Sequence, residues 1–307
     1  MVEIEEGIRR VTFSLPLGID HVHCYFLRAS SGGWILVDTS LGSRAPAERW
    51  GPVLDQLDAP VERIVVTHMH PDHVGGARDV AELTGAPVFQ GREDYEQCVR
   101  AWGEYDPQRF IGYWLSHGVP GAEAEVHLRE SLRLVDAVHW LRDPELLDDG
   151  DEIDGWQVDV LRGHADGHIV LIRGGVMIAG DTILTEITPA IGLYPRSRPD
   201  PLGDYFATLA RIEELDLRVA YAGHKDPVAD PSARAREIRA HHEERLARTV
   251  AALDGRPQKA YDVSLALFPG DLPPSLRRFA TAESLAHLER LVRDGRAERE
   301  EGGYLRA

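Results

Sequence analysis

The tightest constraint on this chain is the run Thr67-His68-Met69-His70-Pro71-Asp72-His73, which places three histidines and an aspartate within six residues. It directly follows Arg63-Ile64-Val65-Val66, a stretch of buried-strand type. On an extended segment, residues two apart point the same way, so His68 and His70 can reach one ion. Asp72 and His73 follow where the chain turns into a helix, and they can face a second ion. Neutral imidazole and carboxylate are the donors that catalytic zinc prefers. Gly75 and Gly76 let the backbone pack closely at that turn.

Three further candidates sit where apolar strands end, each preceded by glycine. His164 follows the strand at 156–161, Asp181 follows Val176-Met177-Ile178-Ala179, and His224 follows Val219-Ala220-Tyr221-Ala222. Strand ends can converge on one sheet edge, so these residues are candidates to join the His68–His73 run.

The set resembles the metallo-β-lactamase superfamily over roughly residues 8–230. The resemblance rests on His68-x-His70-x-Asp72-His73, then His164, Asp181 and His224 in that order. It implies an α/β fold, a four-layer αβ/βα sandwich with the site at the sheet edges. It also implies that His68, His70 and His164 bind one divalent ion. Asp72, His73 and His224 would bind a second, with Asp181 bridging the two. Zinc is the expected metal, although iron and manganese suit the same ligands. The bridging Asp181 turns the reading from β-lactam hydrolysis toward a general dinuclear hydrolase. In such a site a hydroxide shared by the ions attacks a carbonyl or phosphorus centre, and Asp72 or Asp181 takes up the proton. No G-x-S-x-G elbow is present to suggest a serine nucleophile.

Residues around the run extend the expected site. Asp38, closing the strand Trp34–Val37, reads either as a ligand-orienting carboxylate or as a turn residue. His21 and His23 lie in a stretch similar to the family's Asn-His-x-Asn-Cys-Tyr-type strand and are expected to line the substrate pocket. Tyr194, in the Pro-rich loop 186–203, is a candidate substrate-facing phenol. His168 reads as a structural histidine, with a supporting or substrate contact as the alternative.

Two domains are expected. Residues 1–253 form the catalytic unit, with a helical insertion at about 92–145 that carries Trp102, Tyr105, Tyr113, Trp114 and Trp140. Residues 254–307 resemble the winged-helix-like domain of the β-lactamase-like-protein-2 group, through Ala260-Tyr261-Asp262-Val263 and the segment Ala282–Leu291. Helices are expected at Ala45–Leu57, Val74–Leu83, Gly203–Leu215, Pro231–Leu253, Tyr261–Leu267 and Ala282–Arg293, with a hairpin in Gly295–Leu305.

Composition narrows the substrate. With 51 acidic against 34 basic side chains the net charge is −17, which repels phosphate backbones and anionic membranes. No apolar run approaches the roughly 18 residues of a membrane span. The acidic Met1–Glu6 start lacks a signal-peptide core, and Cys24 and Cys98 form no C-x-x-C pair, so a reducing cytoplasm is expected. A small acyl thioester, lactone or ester is therefore the leading substrate class, with the aromatic insertion supplying an apolar pocket. A single-strand endoribonuclease is the alternative, and a ligand-sensing DNA-binding regulator ranks third. Nucleic acid and membrane are not expected partners, and a homodimer is compatible with the sequence.

Overall fold

The computed structural model describes every residue except Leu17. Runs of β-branched and aromatic residues alternate with turn residues in both halves of the chain, and each half forms one sheet. The first sheet holds β1 (Val2–Glu5), β2 (Ile8–Ser14), β3 (His21–Arg28), β4 (Trp34–Val37), β5 (Val61–Val66), β6 (Val88–Gly91) and β7 (Glu145–Leu147) in sequential order. Its first four strands are antiparallel, and β4 to β7 are parallel. The second sheet holds β8 (Glu152–Ile153), β9 (Trp156–Val160), β10 (Ile169–Arg173), β11 (Val176–Gly180) and β12 (Val219–Ala222), and only the β11–β12 pair is parallel.

Three apolar seams stack these sheets into the expected four layers. Between the sheets, Tyr25, Leu27, Ile35 and Val65 meet Trp156, Val158, Ile169 and Ile178. On the outer face of the first sheet, Phe26, Leu36 and Ile64 pack with Trp50 of α1 (Pro46–Leu54). Val74 of α2 (Pro71–Val74) and Val80 of α3 (Ala77–Thr84) complete that seam. The insertion supplies α4 (Arg92–Cys98), α5 (Pro107–Ser116) and α6 (Gly121–Ala137). On the outer face of the second sheet, Val170, Met177 and Ala220 pack with Leu209 of α7 (Pro201–Glu214) and Ile238 of α8 (Pro231–Ala252).

The C-terminal segment contains α9 (Ala260–Leu267), α10 (Pro274–Arg293) and the hairpin β13 (Ala297–Glu300) and β14 (Gly303–Arg306). Its Val263, Leu285, Leu288 and Tyr304 share the outer apolar seam with Leu246 of α8. Each fully buried leucine there stabilises the joint by about 1.5–3 kcal/mol.

Local expectations shift at some element ends. The helix expected at Val74–Leu83 is two helices, because Gly76 (φ −99°, ψ 8°) leaves the helical region, and here the backbone runs too close to its neighbours for a side chain. A Cβ on Gly75 would lie 2.1 Å from the Pro71 carbonyl, and one on Gly76 2.5 Å from that of Thr39. The helix expected from Ala282 starts eight residues earlier, at Pro274, whose missing N–H costs nothing in a first turn. Among the described residues, no helix is long and apolar enough to cross a membrane.

Candidate metal centre

β5 delivers the chain to the sheet edge still extended, and His70 keeps that conformation (φ −65°, ψ 147°) before Pro71 opens α2. His68 and His70 therefore project together, and one helical turn redirects Asp72 and His73. Strand ends in the second sheet bring His164, Asp181 and His224 to the same edge. His68 Nε2 lies 3.0 Å from His70 Nδ1, which lies 2.8 Å from His164 Nε2. Opposite them, Asp72 Oδ2 stands 3.3 Å from His224 Nε2 and 4.0 Å from His73 Nε2. Asp181 reaches both triads. Its Oδ2 is 3.6 Å from His164 Nε2 and 3.2 Å from His224 Nε2, and its Oδ1 is 3.5 Å from His73 Nε2.

Outward hydrogen bonds fix which nitrogen faces inward. Thr67 Oγ1 donates to Asp38, so it accepts from His68 Nδ1 at 3.0 Å. His73 Nδ1 donates to Asp38 Oδ2 (2.7 Å), His164 Nδ1 to the Ala190 carbonyl (3.0 Å), and His224 Nδ1 to the His21 carbonyl (2.6 Å). With Nδ1 turned outward, each of these four rings presents its Nε2 to the centre. His73 Nε2, His224 Nε2 and Asp181 Oδ1 are buried there without an aligned hydrogen-bond partner. Ion-pair distances without hydrogen-bond alignment are what a divalent cation between the groups would satisfy, so the donor set fits a metal.

The electrostatics divide along the same line. Burial and the neighbouring imidazoles hold His68 well below the usual histidine range, and burial with His164 lowers His70 to about 3. Burial also depresses His164. Burial would depress His73 and His224 too, but the carboxylates outweigh it. Asp181, Asp38 and Asp72 hold His73 well above its usual range, and Asp181 with Asp72 raises His224 to about 10. The first triad is thus neutral and ready to donate, whereas the second is rich in negative charge and calls for a cation.

Supporting groups come from both halves of the chain. Asp38 adopts a left-handed backbone (φ 64°) and accepts from Thr67 N at 2.8 Å, so one carboxylate orients His73 directly and His68 through Thr67. Of its two sequence readings, the structure selects the orienting one. His168 is buried, accepts from Asp181 N at 3.1 Å and stacks on His68 at 4.5 Å. It therefore positions two site residues. Gly223 admits the centre itself, since a Cβ there would lie 2.6 Å from both Asp181 Oδ1 and His73 Cε1.

The three expected substrate contacts fare differently. Both ring nitrogens of His23 are engaged, by Thr12 Oγ1 at 2.9 Å and the Lys225 carbonyl at 3.0 Å, and the residue is 5% exposed. Its reading as a substrate contact gives way to a structural one, in which it clasps the loop that carries His224. His21 bonds Asp20 and the Lys225 N–H and holds His224 through its own carbonyl, with its ring edge-on to His224 at 6.3 Å. Tyr194 packs against Trp114 at 6.2 Å, in the apolar cluster under α5 and α10.

Sequence reasoning missed the clamp on Met69, the peptide between His68 and His70. Asp94 Oδ1 accepts from Met69 N at 2.9 Å, and Trp102 Nε1 donates to the Met69 carbonyl at 2.8 Å. Both residues belong to the insertion, and neither carries a motif that announces the contact. Cys24 and Cys98 are fully buried, and burial pushes both thiols up, which leaves them small apolar side chains.

Comparison with known proteins agrees with this geometry. The Metallo-beta-lactamase superfamily matches residues 17–224, and the Metallo-beta-lactamase-like C-terminal domain matches residues 246–306. The probable metallo-hydrolase YqjP of Bacillus subtilis is 27% identical over 92% of this chain and 92% of its own length. A β-lactamase-like protein 2 homologue of Drosophila melanogaster is 24% identical over 88% of this chain and 82% of its own length. A hydroxyacylglutathione hydrolase of Pseudomonas putida is 26% identical over 59% of this chain and 57% of its own length. The crystal structure of a metallo-β-lactamase family protein from Thermus thermophilus, TTHA1429, superposes with a TM-score of 0.87 at 36% identity, over 99% of this chain and 100% of that one. With inward-facing imidazoles, a carboxylate spanning two triads and a family match over most of its length, this chain belongs to the metallo-β-lactamase superfamily as a metal-dependent hydrolase.

Proposed function

We propose that the chain hydrolyses a small acyl thioester, lactone or ester at a dinuclear centre. The observation that carries this reading is Asp181, whose carboxylate stands within 3.6 Å of a donor in each triad. His68, His70 and His164 would hold one ion, His73, His224 and Asp72 the other, and Asp181 both. Zinc is the expected metal for imidazole and carboxylate donors. When bound, two divalent ions supply an acidified water and polarise the acyl oxygen.

The chain's own residues do the rest. Asp38, through His73 and Thr67, fixes the imidazole planes. Asp94 and Trp102 hold the His68–His70 segment extended. Asp72, kept ionised by His73 and His224 despite burial, would take the proton of the attacking water and return it to the leaving thiolate or alkoxide as the acyl bond breaks. The similarity to hydroxyacylglutathione hydrolase favours a thioester, and a net charge of −17 disfavours a long polyanion.

Metal analysis combined with turnover on matched thioester, lactone and single-stranded RNA panels tests the reading. Thioester or lactone cleavage far above RNA cleavage is expected. The reverse order would move the chain to the endoribonuclease alternative.

A further inference from the structure

One helix of the insertion touches both strand ends that carry the first triad. α4 and the turn after it hold the Met69 peptide between His68 and His70, and they also face the stretch 162–168 that carries His164. Gly167 lies directly against α4, where a Cβ would come 2.2 Å from Asp94 N and 2.6 Å from the Glu93 carbonyl carbon. Asp166 N donates to Gln97 Oε1 at 2.9 Å, and Asp166 Oδ2 accepts from Arg100 Nη2 at 3.4 Å. Arg162 donates to both carboxylate oxygens of Glu93, at 2.7 and 2.8 Å. Ala165 shares an apolar seam with Cys98, and Ala101 and Trp102 pack on the same seam.

The backbone after α4 is not α-helical. Val99–Gly103 forms a single π turn, closed by a bond from Glu104 N to the Val99 carbonyl at 2.8 Å. Such turns are rare and recur at functional sites. This one carries Arg100 to Asp166 on one ligand stretch and Trp102 Nε1 to the Met69 carbonyl on the other, the latter at 2.8 Å.

The second triad is held from elsewhere. The His73 carbonyl accepts from Thr39 N at 2.9 Å and from Thr39 Oγ1 at 2.7 Å, and its ring donates to Asp38. His224 donates to the carbonyl of His21. These partners stand at the start of β3 and just after β4. Among the described residues, no hydrogen bond or ion pair joins α4 or its π turn to Asp72, His73 or His224. Asp38 alone reaches both triads, touching His68 only through Thr67. Partners that fix ligand direction are worth about 10–100-fold in metal affinity, so two separately held sites can lose their ions separately.

We infer that α4 and its π turn, through Gln97, Arg100 and Trp102, position the His68–His70–His164 triad, so that the insertion sets one ion site and leaves the other untouched. This rests on the two-ion reading above. The three side chains act through Asp166 and Met69, and are positioning residues.

The test uses the full chain, stripped of metal and reloaded with cobalt(II), as wild type, Trp102→Phe, Gln97→Met and the double variant. Trp102→Phe keeps a ring in the seam and removes the N–H, and Gln97→Met keeps the length and removes the acceptor. Proton NMR separates the cobalt-shifted ring protons of the three imidazoles in the first triad from those of the two in the second. The two sets are assigned by their loss in His164→Ala and His224→Ala. Affinities come from competition titration against a chelator. We expect each single variant to weaken the first-triad ion by about tenfold and the double variant by about a hundredfold. The second-triad ion should keep its wild-type affinity. Equal weakening of both ions, as a general loss of folding would give, overturns the proposal. So do unchanged affinities and a preferential loss of the second-triad ion. A wild type that takes up a single ion removes the two-ion reading instead. The positioning role then stands if that ion shifts the first-triad imidazoles and weakens in the variants, and it falls otherwise.

Discussion

At the sheet edge, His68, His70, His73, His164 and His224 converge with Asp72 and Asp181. Between α8 and α10, His242, His287 and Glu283 bring the same donor types within 4.8 Å of one another. The two clusters differ in where their protons and charges go. In the second, His287 Nδ1 donates to the Glu283 carbonyl at 2.7 Å, which leaves Nε2 to accept from His242 Nδ1 at 3.2 Å. Arg245 pairs with the Glu283 carboxylate and removes the negative charge a cation would need. At the sheet edge the Nδ1 protons point outward to Asp38, Thr67 and backbone carbonyls, and the inward Nε2 atoms face Asp72 and Asp181, carboxylates paired with no arginine or lysine among the described residues. Donor type and spacing alone do not make a metal site. Tautomer and charge balance separate a centre from a buried hydrogen-bond chain.

The strongest way to break this contrast is to remove the shared carboxylate. Asp181→Ala is expected to lose at least one ion per chain, seen by elemental analysis, and to lower kcat/KM by at least about a hundredfold. Next in size is Asp38→Ala, which frees His73 and Thr67 from their acceptor. Metal affinity should fall about 10–100-fold in a competition titration against a chelator, with the far-ultraviolet circular dichroism unchanged. At the second cluster the expected effect is on stability alone. His287→Leu removes the acceptor of His242 Nδ1 and should cost about 1–3 kcal/mol in urea unfolding while metal content stays at the wild-type value.

Acid sharpens the second cluster further. Burial lowers His287 to about 4 and His242 to about 2, against 6.5 in the unfolded chain. Protonation below 6.5 therefore favours the unfolded state. The stability tied to the neutral pair is whole above pH 6.5 and drains as pH falls toward 4. Melting of the metal-free wild type should drop across that window more steeply than melting of a His242→Leu/His287→Leu variant. Parallel curves would contradict the neutral, hydrogen-bonded pair.

The sequence makes the converging residues legible because each of their signals is local. A strand runs out, glycine allows close approach, and a ligand-type side chain follows. This holds for His164, Asp181 and His224 as it does for the His68–His73 run. The layer order is legible for a similar reason, since strand and helix periodicities persist through both halves. What was not legible depends on tertiary contacts. His23 looks like a pocket residue until Thr12 and Lys225 are seen to occupy its ring. Asp94 and Trp102 clamp Met69 from an insertion whose path no periodicity reveals. The early start of α10 was not legible because Pro273 and Pro274 break a helix anywhere but at its first turn, which is where Pro274 stands.

The central claim is that one cluster holds two ions bridged by Asp181 while the other holds none. Native mass spectrometry and elemental analysis of the metal-loaded wild type, Asp181→Ala and a His242→Leu/His287→Leu variant test it directly. The account predicts two ions in the wild type, fewer than two after Asp181→Ala, and two in the α8–α10 variant. Two ions surviving in Asp181→Ala, or an ion lost with His242 and His287, would contradict it.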